Sequence, residues 1–155
     1  MKMRPFPSRG FKMSYRYLED IAIADIAFEA RGETLATLFI AAAEATMNVM
    51  VEALDTIRAT EQRDISLMAE SVEMLLFDMI QELIYYKDAE QLLLRIRDPT
   101  IKKRRGIWVL TAIARGERID SGKHRLNVDV KAVTLHRLAV KNIPEGWKAT
   151  VVLDI

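Results

Sequence analysis

Two stretches of the chain carry apolar residues at the spacing of an α-helix, and β-forming segments flank both of them. The clearer stretch follows Ser71, and the other follows Thr34; both residue types cap helices because their side-chain oxygens accept hydrogen bonds from free backbone amides. The periodicity predicts helices at 34–52 and 71–87, each with an apolar face that must be buried against another layer.

The rest of the chain favours strands, because β-branched and aromatic residues dominate its apolar runs. A turn-rich stretch at 98–106 separates two of these runs, and a Pro-Glu-Gly turn precedes the last. The order β-α-β-α-β-β-β-β predicts one α+β domain with two helices beside an antiparallel meander, in which the final two strands pair. The predicted strands are 14–31, 64–70, 92–96, 107–114, 128–140 and 147–153.

Length and composition limit what this domain can be. The chain has 155 residues, which is the size of one domain, and its formal charge is only +1. It has no cysteine, which excludes disulfides, thiolate nucleophiles and zinc fingers. Residues 1–13 read as a flexible leader without the apolar core of a secretory signal, and residues 14–155 read as the domain. No apolar run reaches the roughly 20 residues of a membrane helix, so we expect a cytoplasmic protein without a membrane partner.

Two aspartates stand where the sequence is otherwise apolar. Asp25 interrupts a run of Ile and Ala, and a buried carboxylate without a partner is costly. Asp154 precedes Ile155, so the chain stays apolar to its last residue, and we expect a docked terminus. Two aspartates and a terminal carboxylate would make a hard oxygen site for Ca²⁺, Mg²⁺ or Mn²⁺. The alternative is that Asp25 accepts hydrogen bonds from backbone amides and that Asp154 is simply exposed.

Three blocks of the sequence resemble the archease family. Residues 15–32 read YRYLEDIAIADIAFEARG and resemble the family's signature at its first strands, and Thr34 opens the next helix as in that family. Residues 130–136 read VKAVTLH and resemble its VKAVTYH block, and residues 151–155 read VVLDI and resemble its terminus. Each block alone is weak, but the three occur in the family's order and cover everything after the leader.

The resemblance implies a fold and a function. The family fold is a β/β/α stack with two helices, which agrees with the element order above. Archeases assist the GTP-dependent RNA-splicing ligase of the RtcB type, promote guanylylation of its active-site histidine and allow repeated turnover. The chain is therefore expected to be a non-enzymatic activator that reaches tRNA through the ligase. Its glycines are isolated, so no nucleotide site of its own is predicted.

The resemblance also implies a metal site. Asp25, Asp154 and Ile155 match the family's metal-binding positions. Calcium is the expected ion, and Mg²⁺ and Mn²⁺ are the alternatives.

Residues near this site depart from the family pattern. The family motif usually reads His-Thr-Ala-Asp, whereas residues 22–25 read AIAD, so the histidine is either absent or replaced by Asp20. Glu52, which stands where relatives often carry an acid, is a candidate to support the metal ligands. His136 is expected in the long strand, either as a neutral residue satisfied by the backbone or in a catalytic or ligand role. His124 is predicted to be a surface loop residue.

The dense basic run from Lys102 to Arg105 has two interpretations. It can be the solvated end of a hairpin, where charges protect a sheet edge. It can also be a contact for RNA phosphate or for an acidic surface of the ligase.

Two other functions compete with ligase activation. A protein chaperone, or a modulator of RNA methyltransferases, would need an exposed apolar surface. A metal-dependent hydrolase would need a substrate pocket and a base beside the metal, and the sequence shows no clear base.

Overall fold

Two helices and eight strands make up the described part of the chain. The structure is a computed structural model that describes residues 13–19 and 24–155. The elements in chain order are β1 (Met13–Leu18), β2 (Asp25–Gly32), α1 (Leu35–Met50), β3 (Glu61–Ala69), α2 (Val72–Glu90), β4 (Leu92–Arg104), β5 (Ile107–Arg118), β6 (Ala132–Val133), β7 (Ala139–Ile143) and β8 (Gly146–Asp154).

The strands form two sheets in which every pair is antiparallel. One sheet runs β1-β2-β8, and β6 and β7 both pair with the far edge of β8. The other sheet runs β3-β5-β4. This architecture confirms the predicted α+β class with two helices and antiparallel sheets. It also confirms that the last two long strands pair, because β7 and β8 form a hairpin.

Helix α1 is the centre of the fold. It begins at a capping box, in which the Thr34 hydroxyl accepts from the Thr37 amide at 3.1 Å and the Thr37 hydroxyl accepts from the Thr34 amide at 3.0 Å. Residues 41–50 are all buried, since the helix contacts β1, β2 and β8 as well as β4 and α2. The prediction of one apolar stripe was therefore wrong for this helix. Its small alanines allow both sheets to approach it.

Helix α2 covers the three-stranded sheet with the predicted stripe. The Ser71 hydroxyl accepts from the Met74 amide at 3.1 Å, which confirms the predicted cap. The helix continues to Glu90, three residues beyond the predicted end, and stops where Gln91 adopts a left-handed conformation with φ of 55°. Neither described helix is long and apolar enough to cross a membrane.

The structure corrects two of the sequence-based strand predictions. The predicted extended stretch 14–31 is two antiparallel strands, β1 and β2, and β1 already begins at Met13, the last residue assigned to the leader. The rest of that leader lies outside the described residues. The predicted turn-rich stretch 98–106 is wrong, because β4 continues to Arg104.

Strand β4 accommodates its two turn-forming residues, Asp98 and Pro99, in a β-bulge. The register shifts between Arg97 and Thr100, and Asp98 has a φ of 49°. Since β4 is an edge strand, Pro99 loses no hydrogen bond that the sheet needs. The hairpin to β5 then closes through Arg105 and Gly106 alone.

The predicted long strand 128–140 was also wrong. Within this stretch only the residues of β6 and β7 pair with β8, and a turn separates the two strands. The Thr134 amide and hydroxyl both donate to the carbonyl of Val152 at 3.0 Å, and Arg137 has a φ of 56°. The β-branched composition of residues 128–140 predicts a strand, but the edge of β8 determines which of these residues form backbone hydrogen bonds.

Candidate metal centre

Asp25 and Asp154 lie directly opposite each other at one end of the five-stranded sheet. Asp25 is the first residue of β2, Asp154 is the last residue of β8, and the two are partners in the antiparallel register. Residues directly opposite in such a pair carry their side chains on the same face of the sheet. The structure therefore brings together the two carboxylates that the sequence placed 129 positions apart.

The end of the chain is held between two neighbouring segments. The Ile155 amide donates to the carbonyl of Ala24 at 3.0 Å, and the Lys131 amide donates to the carbonyl of Asp154 at 2.9 Å. Ala132 pairs with Asp154 on the second side of β8. These bonds confirm the predicted docked terminus, and they fix the backbone that carries the terminal carboxylate beside the two aspartates.

Neither aspartate has a compensating partner in the described part of the chain. Both are partly exposed, and no hydrogen bond or ion pair to either carboxylate is present among the described residues. The backbone amides proposed as alternative partners for Asp25 are therefore not bound to it there. Like charges directly across a strand pair destabilise the sheet, and a cation between them would relieve that repulsion.

The donor set fits a hard divalent cation. Asp25, Asp154 and the terminal carboxylate of Ile155 offer oxygen atoms only, which suits Ca²⁺, Mg²⁺ or Mn²⁺ better than zinc. Within the described residues no cluster of three or more His, Cys, Asp or Glu side chains could hold a metal. A metal here would thus depend on the terminal carboxylate, with backbone carbonyls or water completing its shell.

The supporting residues named from the sequence have different positions. Asp20 lies outside the described residues. Glu52 is exposed and forms an ion pair with Arg125 at 3.3 Å. His136 is exposed in a turn rather than placed in a strand, so that prediction was wrong; its amide donates to the Thr134 hydroxyl at 3.2 Å. A supporting role at the metal stays a prediction for all three.

His124 is buried, although the sequence predicted a surface residue. It is only 2% exposed, and its Nδ1 accepts from the Asp120 amide at 2.9 Å. Its Nε2 must then carry the proton, which it donates to the Glu117 carboxylate at 3.0 Å. The ring holds the loop after β5 against the sheet. Its burial depends on the folded position of this loop, which the sequence alone does not show.

Glu117 collects three donors at this point. The Arg58 amide donates to it at 2.7 Å and the Lys123 ammonium at 2.5 Å, in addition to His124. These hydrogen bonds, that of the Arg58 amide foremost, lower the pKa of Glu117 from 4.5 to about 2. The carboxylate is therefore a structural anion that joins three segments of the chain.

Lys87 is a buried charge that the sequence could have revealed. It follows Leu83 and Ile84 at helical spacing, so it belongs to the buried face of α2. Burial lowers the pKa of its ammonium, but hydrogen bonds to Asp129 and Asp88 outweigh this effect and raise it. With Asp129 at 2.6 Å and the Val130 carbonyl at 2.9 Å, its donors are occupied.

The antiparallel sheets, the central helix and the acidic end of β2 and β8 define a small α+β protein with a candidate hard-cation site. Comparison with known proteins identifies which one. The model of the archease protein family matches residues 15–155. The chain is 35% identical over 150 residues to an archease of Methanosarcina acetivorans, covering 96% of this chain and 99% of that one. It therefore belongs to the archease family.

Other relatives agree in sequence and in fold. An archease of Pyrococcus furiosus is 35% identical over 136 residues, covering 85% of this chain and 93% of its own. A solution structure of Methanobacterium thermoautotrophicum protein 1598 is 31% identical, with a TM-score of 0.77, and covers 93% of this chain and 99% of that one. A crystal structure of a Thermotoga maritima archease, described as a possible chaperone, shares the fold at 20% identity, with a TM-score of 0.58 over 98% of this chain and all of that one.

Proposed function

We propose that this archease is a non-enzymatic, metal-dependent activator of an RtcB-type RNA ligase, acting in tRNA splicing and RNA repair. The observation that carries the proposal is the register of β2 and β8. It sets Asp25 opposite Asp154 beside the last residue, and these are the positions that match the family's metal-site motifs.

The chain's own residues hold this site in a defined shape. The two strands set the aspartates on one face, and the bond from the Ile155 amide to Ala24 holds the terminus beside them. A bound divalent ion would supply a positive centre with coordination positions open to a partner. We expect Ca²⁺ to be bound, with Mg²⁺ and Mn²⁺ as alternatives, because all the donors are oxygen atoms.

The buried histidine offers no general base, which supports a non-enzymatic role. Both ring nitrogens of His124 are engaged, one by the Asp120 amide and one by Glu117, so the ring has no free nitrogen to act as a base. The sequence also lacks a glycine-rich phosphate loop. Nucleotide chemistry in the proposed activity therefore belongs to the ligase, and tRNA is reached through it.

A chaperone, or a modulator of RNA methyltransferases, is the alternative function. It would need a continuous apolar surface. The most exposed large apolar side chains are Met68, Leu135 and Tyr85, at 71%, 63% and 56%. They lie on three separate elements, namely β3, the β6–β7 connection and α2, which favours the activator over the chaperone.

The activator proposal is tested by counting ligations per ligase molecule. Substoichiometric archease should raise the number of turnovers of the cognate ligase with GTP and divalent metal, and should give no ligation alone. Asp25→Ala should lose this stimulation. Asp64→Ala, which removes an exposed carboxylate from β3, should keep it.

Two results would contradict the proposal. Unchanged turnover with the wild-type protein would remove the activator role itself. Equal stimulation by the wild-type and Asp25→Ala proteins would separate activation from the acidic site, and would leave the metal without a function in it.

A further inference from the structure

The hairpin between β4 and β5 ends in a projecting cationic tip. The two strands stay paired as far as Arg104 and Ile107, and Arg105 and Gly106 close the turn with φ of 53° and 81°. Positive φ at both turn residues belongs to the tight turn that matches the twist of paired strands. Four successive cations at this end, which we name the basic tip, are all exposed: Lys102, Lys103, Arg104 and Arg105.

None of these four cations forms an ion pair with a carboxylate among the described residues. Many other cations of the fold do. Glu29, for example, is 6% exposed and forms ion pairs with Arg16 at 2.9 Å, Arg31 at 3.5 Å and Lys148 at 3.6 Å. A run of four unpaired positive charges on one short ribbon leaves a strong local potential that attracts an external polyanion.

The tip presents its charge on both faces of the ribbon. Lys102 and Arg104 share one face, because alternate residues of a strand point the same way. Lys103 lies on the opposite face, where its ammonium is 5.6 Å from the centre of the Trp108 ring. Beside Lys102, the hydroxyls of Thr100 and Thr111, which are opposite each other, add further donors for phosphate oxygens.

We propose that the basic tip binds the phosphate backbone of RNA. A narrow ribbon with cations on both faces suits a chain of phosphates, which can run along or around it. An acidic protein is the less favoured partner, because a protein interface is flat and its charged rim surrounds an apolar centre. The choice of RNA over DNA rests on the proposed function, but the contact itself rests only on the tip.

Binding is tested without any ligase, so its failure leaves the activator proposal intact. The probe is a fluorescent oligouridylate of about 20 nucleotides, followed by anisotropy at several salt concentrations. Four phosphate contacts give a slope of about −3 for the logarithm of affinity against that of salt concentration, which is a loss of about 50-fold between 50 and 200 mM salt.

Matched variants locate the contact. Lys102→Ser with Arg104→Ser should halve the slope, so that affinity falls only about 7-fold over the same salt range. Arg58→Ser with Lys141→Ser removes two exposed cations from elsewhere and should keep the wild-type slope. Unchanged thermal midpoints show that the variants are folded.

Two outcomes would overturn the proposal. One is a slope that falls equally in the tip variant and in the Arg58–Lys141 control, since the binding would then be general. Equal competition by polyglutamate would indicate an acidic protein partner. Equal affinity for a deoxyoligothymidylate of the same length would agree with the proposal, because the contacts are to phosphates, which both polymers carry.

Discussion

At the scale of single residues, position rather than residue type distinguishes the acidic groups. Glu117 and Glu29 accept several donors, whereas Asp25 and Asp154 face each other without a partner in the described part of the chain. A carboxylate with donors stabilises the fold. Two facing carboxylates without donors weaken it, and a bound cation would reverse that effect.

The proposed metal site gives the first prediction at this scale. Asp25→Ala should abolish binding of Ca²⁺, Mg²⁺ and Mn²⁺ in titration calorimetry. Residues appended after Ile155 should do similar damage, because the terminal carboxylate would become an amide. Without metal, the free energy of unfolding of Asp25→Ala should change by no more than about 1 kcal/mol, since a repulsion is lost with the carboxylate.

Asp64→Ala is the control for this titration, since Asp64 is an exposed carboxylate on a different sheet. It should bind metal as the wild-type protein does. Equal affinities in the native, Asp25→Ala and extended chains would mean that the metal binds elsewhere or not at all.

At the scale of elements, close strand packing explains one glycine in the three-stranded sheet. Gly116 lies in the central strand β5, opposite Leu94 of β4 and Glu61 of β3. A Cβ atom at Gly116 would lie 1.7 Å from the backbone carbonyl oxygen of Leu93, which no side-chain rotation can relieve. The strands can therefore keep this close approach only if the residue has no side chain.

Gly116→Ala should lower the free energy of unfolding by about 3 kcal/mol, because the backbone of β4 must move to admit the methyl group. Urea denaturation followed by circular dichroism measures this change. Gly122→Ala is the matched control: its Cβ would be 3.3 Å from the Asp120 carboxylate, and the cost should stay below about 1 kcal/mol. Equal losses in the two variants would show that the close approach to Leu93 is absent.

At the scale of the whole molecule, long-range polar contacts join segments that the sheets leave separate. Glu117 connects β5 to Arg58, which follows α1, and to the loop that carries Lys123 and His124. That loop continues to the strand beside Asp154. The contacts of Glu117 therefore help to order the path from the three-stranded sheet to the acidic site.

This network predicts how stability depends on pH. The pKa of Glu117 is lowered from 4.5 to about 2 in the folded protein, so its contribution is complete above pH 4.5 and is lost as the pH falls toward 2. Glu117→Gln should cost about 1–2 kcal/mol at neutral pH, and this difference from the wild-type protein should shrink at acid pH.

Urea denaturation between neutral pH and about pH 2 measures that difference. Glu145→Gln, at an exposed carboxylate in the β7–β8 turn, should leave the wild-type pH dependence unchanged. A Glu117→Gln deficit that is constant down to the lowest pH would contradict the role of this carboxylate.

The sequence alone determined the local structure and the family. Thr34 and Ser71 marked both helix starts, because a cap depends on a few neighbouring residues. The order of helical and β-forming segments predicted the α+β fold, and the resemblance of three blocks to archeases named Asp25, Asp154 and Ile155 as a candidate site.

Only the tertiary structure decided which residues pair and which are buried. Composition could not show that 128–140 breaks into β6 and β7, because a strand requires an edge to bond with and β8 supplies that edge over two short stretches. Composition also could not show that α1 is enclosed on all sides or that His124 is buried, because burial depends on which other segments pack against a residue. The family resemblance implied that Asp25 and Asp154 meet. Their geometry follows from the strand register, which is a property of the folded sheet.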